Sequence, residues 1–290
     1  STVLPPILMN SSAIETADYD QDGDIDVFIS GRVIHGKYPL SEPSYLLENR
    51  NGTFIKTTEK VITGLSEIGM VNDAIFTDFD NDGDSDLIIV GEWMPITIFE
   101  NNNFHFIKKE LPELEGINGW YQTITEADLD NDGFKDYIIG NWGENNKFHP
   151  SQEKPLHVYS DYFDDNSTFD MILSKVSKTG ELIPVRGKQC SIEQNPSLKN
   201  NIKSYNQFAN STLIQIYGDE SLKKATHYKA NNFTSFILKN QGEGTFEIEN
   251  LPKQAQFSPT LGVVTHDINN DGFLDIFGVG NVYSSEVETI

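Results

Sequence analysis

The feature that most constrains this chain is a nine-residue acidic segment that occurs four times. Its form is Asp-x-Asp-x-Asp-Gly-x-x-Asp, with Asn in place of the second Asp in the last copy. The copies begin at Asp18, Asp78, Asp128 and Asp267. An ordinary turn needs one Asp or Asn, whereas carboxylates at alternate positions of one turn repel each other. The pattern therefore predicts loops that hold a cation.

Short apolar runs flank each acidic segment and predict β-strands. The runs that follow the four segments are VFIS, LIIV, YIIG and IFGV. Runs of β-branched and aromatic residues bounded by Gly, Asn and Asp are typical of strands. Each acidic segment is therefore predicted to join two strands of an antiparallel hairpin.

A second repeat supplies two more strands to each unit. The segments YLLENRNGTF (45–54), ITIFENNNFHF (96–106) and SFILKNQGEGTF (235–246) each combine an apolar run, an Asn/Gly-rich turn and a Phe. This pattern predicts a further hairpin. Four-stranded units at intervals of 60 and 50 residues indicate an all-β fold, a β-propeller whose blades carry acidic hairpin loops. We expect a partial propeller or a ring modified by an insertion.

The regular spacing ends after the third acidic segment. A weaker fifth copy, YFDDNSTFD, begins at Tyr162, and the next full copy begins only at Asp267. Leu198, Ile202, Tyr205 and Ala209 recur at helical spacing between Pro196, which suits a helix start, and Gly218, which suits a stop. We therefore expect a single propeller domain over residues 1–290 with a mostly helical insertion at about 185–232.

Calcium is the cation that the acidic segments suit best. Asp at positions 1, 3, 5 and 9 offers hard oxygen ligands, and Gly at position 6 permits the sharp turn. An EF-hand is excluded because it needs Glu at position 12 and flanking helices. Position 12 is Ile29, Ile89, Ile139 or Gly278, and the flanks are predicted strands.

These segments resemble the FG-GAP/VCBS repeat, the blade unit of integrin-α-like propellers, and the Gly-Thr-Phe endings at Phe54 and Phe246 fit it too. The layout is also similar to bacterial surface VCBS proteins related to the cartilage acidic protein group. The resemblance implies about four structural Ca²⁺ ions. The implied ligands, with backbone carbonyls at position 7, are Asp18, Asp20, Asp22, Asp24 (carbonyl) and Asp26; Asp78, Asp80, Asp82, Asp84 (carbonyl) and Asp86; Asp128, Asp130, Asp132, Phe134 (carbonyl) and Asp136; Asp267, Asn269, Asp271, Phe273 (carbonyl) and Asp275; and, more weakly, Asp164, Asn166 and Asp170.

Charge and cysteine content limit the partners and the setting. The formal net charge of −23 disfavours nucleic acid, because phosphate binding needs clustered Lys and Arg. No apolar run is long enough to cross a membrane, so no direct membrane insertion is expected. The single cysteine, Cys190, excludes a disulfide within the chain.

The acidic loops also indicate the setting of the chain, because loops of this kind suit millimolar calcium. The chain is therefore expected to be extracellular, either secreted or at the cell surface like an outer-membrane lipoprotein. It is also expected to belong to a larger chain or complex.

A partner surface is predicted at the ends of the blades opposite the acidic loops. The segments that follow the second strand of each unit open there and contain the candidate ligand residues Arg32, Glu92, Trp93, Asn141, Trp142 and Asn281. Trp and Arg dominate binding hot spots, which favours a protein or glycan partner. The alternative is that both tryptophans pack between blades.

No catalytic motif is found in the sequence. It contains no GxSxG, P-loop or HExxH segment, and most clustered acids are already assigned to calcium. We therefore expect a non-catalytic binding or assembly module. The alternative is a propeller-type carbohydrate-active enzyme such as a polysaccharide lyase, since fold alone does not decide function.

Overall fold

The computed structural model describes residues 3–164, 166–242 and 244–281. Antiparallel four-stranded sheets dominate it, which confirms the predicted all-β, propeller-like fold. Blade 1 consists of β1 (Ile14–Ala17), β2 (Asp26–Ile29), β3 (Tyr45–Arg50) and β4 (Thr53–Lys56). Blade 2 consists of β5 (Met70–Thr77), β6 (Asp86–Met94), β7 (Thr97–Asn102) and β8 (His105–Lys109), and the short β9 (Gly119–Trp120) pairs with β6.

Blade 3 is discontinuous in sequence. It begins with β10 (Thr123–Ala127) and β11 (Asp136–Gly140) and ends with β16 (Phe236–Asn240) and β17 (Phe246–Asn250). The break lies between β11 and β16, which pair with Tyr137 opposite Leu238. A final two-stranded unit follows, formed by β18 (Gly262–His266) and β19 (Asp275–Val279).

The acidic segments join the first two strands of each unit, as predicted. The last residue pair of each hairpin contains the position-9 aspartate: Ala17 with Asp26, Thr77 with Asp86, Ala127 with Asp136 and His266 with Asp275. The first strands of successive units contact one another in the order β1, β5, β10 and β18. The units therefore stand side by side, and apolar side chains fill the space between them. Phe28, Leu46 and Leu87 lie in one such core, and Ile88, Tyr137 and Phe236 lie in the next.

The inserted segment is longer than the 185–232 expected from sequence, because the strand pairing places the whole of 141–235 between β11 and β16. It forms its own sheet from β12 (Leu156–Asp161), β13 (Asp170–Val176), β14 (Leu182–Pro184) and β15 (Thr226–Ala230), in the order β14-β13-β12-β15. We call this the inserted sheet. The fifth acidic copy lies between β12 and β13 and therefore belongs to this sheet, outside the run of blades.

Short helices separate β14 from β15 in the inserted segment. They are α2 (Lys188–Gln194), α3 (Leu198–Asn201), α4 (Tyr205–Ala209), α5 (Leu213–Tyr217) and α6 (Asp219–Lys224), and α1 (Thr58–Val61) lies between blades 1 and 2. The expected face from Leu198 to Ala209 is divided, because Ser204 and Thr212 cap new helices by accepting from the backbone N–H groups of Gln207 and Gln215. Single-turn 3-10 helices cover Leu65–Glu67, Pro112–Leu114 and Lys253–Gln256. Within the described ranges, the structure contains no helix that is both long enough and apolar enough to span a membrane.

Candidate metal centres and the opposite face

Each acidic loop closes on itself through its own carboxylates. In the second loop, Asp78 accepts from the backbone N–H groups of Asp82 and Gly83 at 3.0 and 3.1 Å, and Asp82 accepts from Asp84 N–H at 2.9 Å. Gly83 has a φ of +93°, a conformation that glycine adopts without strain. Asn81 at position 4 also has a positive φ of 61°, which Asn tolerates better than most residues. The loops that begin at Asp18 and Asp267 repeat both hydrogen bonds of the position-1 carboxylate, and the loop that begins at Asp128 keeps the bond from Gly133 N–H.

The position-9 aspartates anchor the loops inside the blades. Asp86 is buried and accepts from Phe79 N–H at 3.1 Å and from Asn101 N–H on the third strand at 2.7 Å. Asp26 and Asp136 make the equivalent pairs of bonds in blades 1 and 3. Burial raises the pKa of Asp86 to about 7 and that of Asp26 to about 6. Protein dipoles alone therefore do not compensate these charges.

The first three loops bring carboxylates to one focus. In each loop, three carboxylates offer oxygen atoms within 4.8 Å of one another. The groups are Asp18, Asp20 and Asp22; Asp78, Asp80 and Asp86; and Asp128, Asp130 and Asp132. One oxygen each of Asp20, Asp128 and Asp130 is buried and has no hydrogen-bond partner within the described chain. Such oxygens fit a divalent cation, which prefers hard oxygen ligands.

The third and fourth loops differ from the first two in their charge. In the third loop, Lys239 Nζ lies 2.8 Å from Asp130 Oδ2, and this ion pair lowers the pKa of Asp130. In the fourth loop, Asn269 stands at position 3 and donates to Asp271 at 3.0 Å. Both loops retain the fold of the first two, with fewer uncompensated charges.

The fifth copy keeps part of this geometry. Asp164 accepts from Asn166 N–H at 3.1 Å, and Asn166 accepts from Thr168 N–H at 2.7 Å. Asp170 is buried, and this burial raises its pKa to about 6, with a smaller opposing effect of the Phe163 backbone N–H. The position-7 carbonyls of Asp24, Asp84, Phe134 and Phe273 lie on the four full loops, and their role as ligands stays a prediction.

Neighbouring loops are linked by the side chain at position 4. Gln21 donates to Gly83 O at 3.3 Å and to Asp84 Oδ1 at 2.7 Å. Asn81 donates to Gly133 O at 3.3 Å, and Asn131 donates to Gly272 O at 3.0 Å. The four full acidic loops are therefore neighbours at one end of the blades and form a hydrogen-bonded series.

The opposite end holds the residues of the predicted partner surface, but several of them are buried. Trp93 is 5% exposed and donates from its indole N–H to the Tyr38 hydroxyl at 2.6 Å. That hydroxyl donates to Glu92 at 2.9 Å, and Glu92 pairs with Arg32. Asn141 is fully buried and connects backbone groups of the blades and the inserted segment. Asn281 is exposed.

Trp120, which the sequence did not single out, lies at the centre of this region. Its ring centroid lies 5.0 Å from that of Trp93, 5.3 Å from that of Trp142 and 4.7 Å from that of Phe233. This aromatic cluster packs against Leu156 and Val158 of the inserted sheet. Trp93 and Trp142 thus contact the junction between blades and insertion. In the sequence, the only signal of Trp120 was that it is a tryptophan close to the apolar run that precedes the third acidic segment.

The fold and the loops together define a protein of repeated antiparallel blades, each with an acidic loop between its first two strands. A family model described as FG-GAP-like repeat matches residues 18–89 and, overlapping them, 78–139. Each match begins at an acidic loop and extends into the strand after the next acidic loop. The similarity to FG-GAP-like repeats therefore covers residues 18–139, from the first acidic loop to the strand after the third. Such repeats typically occur in extracellular proteins. No curated protein matches the chain.

Proposed function

We propose that the chain is a calcium-stabilised, non-catalytic extracellular binding module whose partner, a protein or a glycan, docks at the end of the blades opposite the acidic loops. The observation that carries the calcium assignment is the convergence of three carboxylates within 4.8 Å in each of three successive loops. Buried carboxylate oxygens without partners support it. The aspartates at positions 1, 3, 5 and 9 would hold the ion, and its two positive charges would offset their mutual repulsion.

Chelation tests the calcium assignment. Removing divalent ions is expected to lower the melting temperature, and added calcium to restore it, because a ligand that binds only the folded state stabilises it. One site at 100 times its Kd contributes about 2.7 kcal/mol. Differential scanning calorimetry with and without chelator measures the shift. An unchanged melting curve in excess chelator contradicts the proposal.

A matched pair of variants separates ion binding from general charge effects. Asp78→Asn removes a position-1 carboxylate, whereas Asp84→Asn removes the same charge from position 7 of the same loop, where only the backbone carbonyl is an expected ligand. We expect Asp78→Asn to weaken the calcium-dependent shift much more than Asp84→Asn does. Equal effects would mean that net charge, and not coordination, determines the shift.

The binding role is tested at the partner end of the molecule. Protein and glycan arrays probed with calcium present report the class of partner. Incubation with polysaccharides, followed by chromatography of the products, tests the proposal that the chain is non-catalytic. Turnover of any polysaccharide would overturn that part and favour the carbohydrate-active enzyme.

A further inference from the structure

A cleft of about 510 Å³ lies between blade 1 and the inserted sheet. The segment from Val33 to Tyr38 lines one side, and Phe169, Met171 and Leu173 line the other. Trp120 also contributes to its wall. Small-molecule sites usually have volumes of roughly 300–1,000 Å³ and are common at junctions between structural units. Both the size and the position of this cleft are therefore those of a ligand site.

The aromatic rings that line the cleft are held in place by contacts of their own. The Tyr38 hydroxyl donates to Glu92 and accepts from Trp93, which leaves this side chain little freedom. Trp120 is 8% exposed and packs against several other aromatic rings. Phe169 is half-buried and packs edge-on against Tyr162 at 5.3 Å between centroids. A wall of fixed rings binds a ligand with little loss of conformational entropy.

The polar groups of the cleft are mainly hydrogen-bond acceptors on fixed side chains. Asn10 donates from Nδ2 to Val33 O at 2.8 Å, and Gln194 donates from Nε2 to Met171 O at 2.9 Å. These bonds orient both amides and leave their carbonyl oxygens to accept from a ligand. His35 is exposed at the rim. The indole N–H of Trp120 has no acceptor among the described residues.

The charge of the lining selects against ionic ligands. The described residues that line the cleft include no Asp, Glu, Lys or Arg, although the chain as a whole carries a formal charge of −23. An anion would meet no Lys or Arg side chain there, and a cation would find no carboxylate to pair with. Aromatic faces bind the C–H faces of a sugar ring, and amide oxygens accept from its hydroxyl groups.

We propose that this cleft binds a short neutral saccharide through Tyr38 and Phe169 as aromatic platforms and Asn10 and Gln194 as hydroxyl acceptors. The proposal rests on the binding role proposed above and assigns that role a site and a ligand class. The inserted sheet supplies half of the site, so the insertion would determine what the blades bind.

Binding of arrayed neutral and anionic oligosaccharides, followed by isothermal titration calorimetry with the best neutral one, tests the proposal. The variants are Phe169→Ala and the double variant Phe169→Ala with His35→Ala. Phe257→Ala is the matched control, because Phe257 is 57% exposed and does not line the cleft. We expect at least a tenfold weaker affinity in both cleft variants and no change in the control. Melting curves in calcium verify that each variant is folded.

Three results would overturn the assignment: binding that survives in the cleft variants, a preference for anionic oligosaccharides, and no neutral saccharide bound at millimolar concentration. Saccharide binding that survives in the cleft variants would mean that the site lies elsewhere, and the proposed binding role would still stand. Absence of any glycan partner would overturn the saccharide site, and protein arrays would then decide the binding role separately. The calcium proposal is unaffected by all three, because the melting curves measure it independently.

Discussion

At the scale of single residues, buried Asn side chains at the ends of third strands join one blade to the next. Asn101 donates to Tyr19 O of blade 1 at 2.9 Å, and Asn240 donates to Phe79 O of blade 2 at 2.7 Å. Asn240 also accepts from Gly242 N–H at 3.0 Å, so both ends of its amide are paired. In the sequence, Asn101 and Asn240 indicated only a turn. Their contacts with the preceding blade could not be predicted, because the partners lie far apart in the chain. Asn240 and Phe79, for example, are separated by 161 residues.

Replacing Asn240 is expected to destabilise the fold. Asn240→Ala leaves the Phe79 carbonyl and the Gly242 N–H without their partners in a buried site. We expect the free energy of unfolding to fall by about 2 kcal/mol. Asn250→Ala, at an exposed position of the same blade, is the control and should change little. Urea unfolding measures both, and equal stabilities of the two variants would contradict the role given to Asn240.

At the scale of elements, the acidic loops form a connected series. The position-4 side chains of the first three loops donate to the next loop, and Asn270 occupies the same position in the fourth loop with a similar φ of 60°. No hydrogen bond of the Asn270 side chain is found within the described ranges. A comparison of variants at Asn81 and Asn270 therefore separates the stability contributed by the hydrogen bond between loops from the local cost of a positive φ.

Asn81→Ala is expected to lower stability more than Asn270→Ala does. Both variants place Ala in the left-handed region, which costs about 1 kcal/mol or more in each, so that cost cancels between them. Only Asn81→Ala breaks a link, which contributes about 0.5–1 kcal/mol for an exposed bond. Calcium titrations of the two variants should also show weaker cooperativity in Asn81→Ala. Identical melting and titration curves would mean that the loops act independently.

The elements that the sequence predicted correctly are those whose partners are close in the chain. The acidic hairpins and the hairpins that contain Phe54, Phe106 and Phe246 are local, and alternation plus turn residues suffices to predict them. The strand pair β11 and β16 is separated by almost a hundred residues, and no local pattern specifies such a pairing. The sequence therefore predicted only a mostly helical insertion at about 185–232, and the sheet within the inserted segment was missed.

At the scale of the whole molecule, the inserted sheet is a unit with its own core, and it contains a buried histidine. Leu213, Leu222 and Ile172 pack on one side of it, away from the blades. His157 of β12 is 7% exposed, and its Nδ1 lies 2.9 Å from Nε2 of His227 on β15. Burial, with smaller contributions from His227 and Lys229, lowers the pKa of His157 to about 4. The folded sheet therefore holds His157 neutral.

This histidine is expected to make the molecule less stable in acid. The unfolded chain takes up a proton near pH 6.5, whereas the folded chain does so only near pH 4. The free energy of unfolding is therefore unaffected by the protonation of His157 above pH 6.5. As the pH falls toward 4, it decreases by on the order of 2–3 kcal/mol, because only the unfolded chain takes up the proton readily. In His157→Gln that loss is absent, so the stability of the variant relative to wild type should be higher at pH 4.5 than at pH 7.

Melting curves in saturating calcium at the two pH values measure this difference. Protonation of the acidic loops affects wild type and variant alike and cancels between them. His105→Gln, which changes an exposed histidine of blade 2, is the control and should follow wild type at both pH values. If the difference between His157→Gln and wild type is the same at pH 7 and pH 4.5, the inserted sheet does not respond to acid through this pair. A pH-dependent difference would instead show that the burial of His157 makes the inserted sheet less stable in acid.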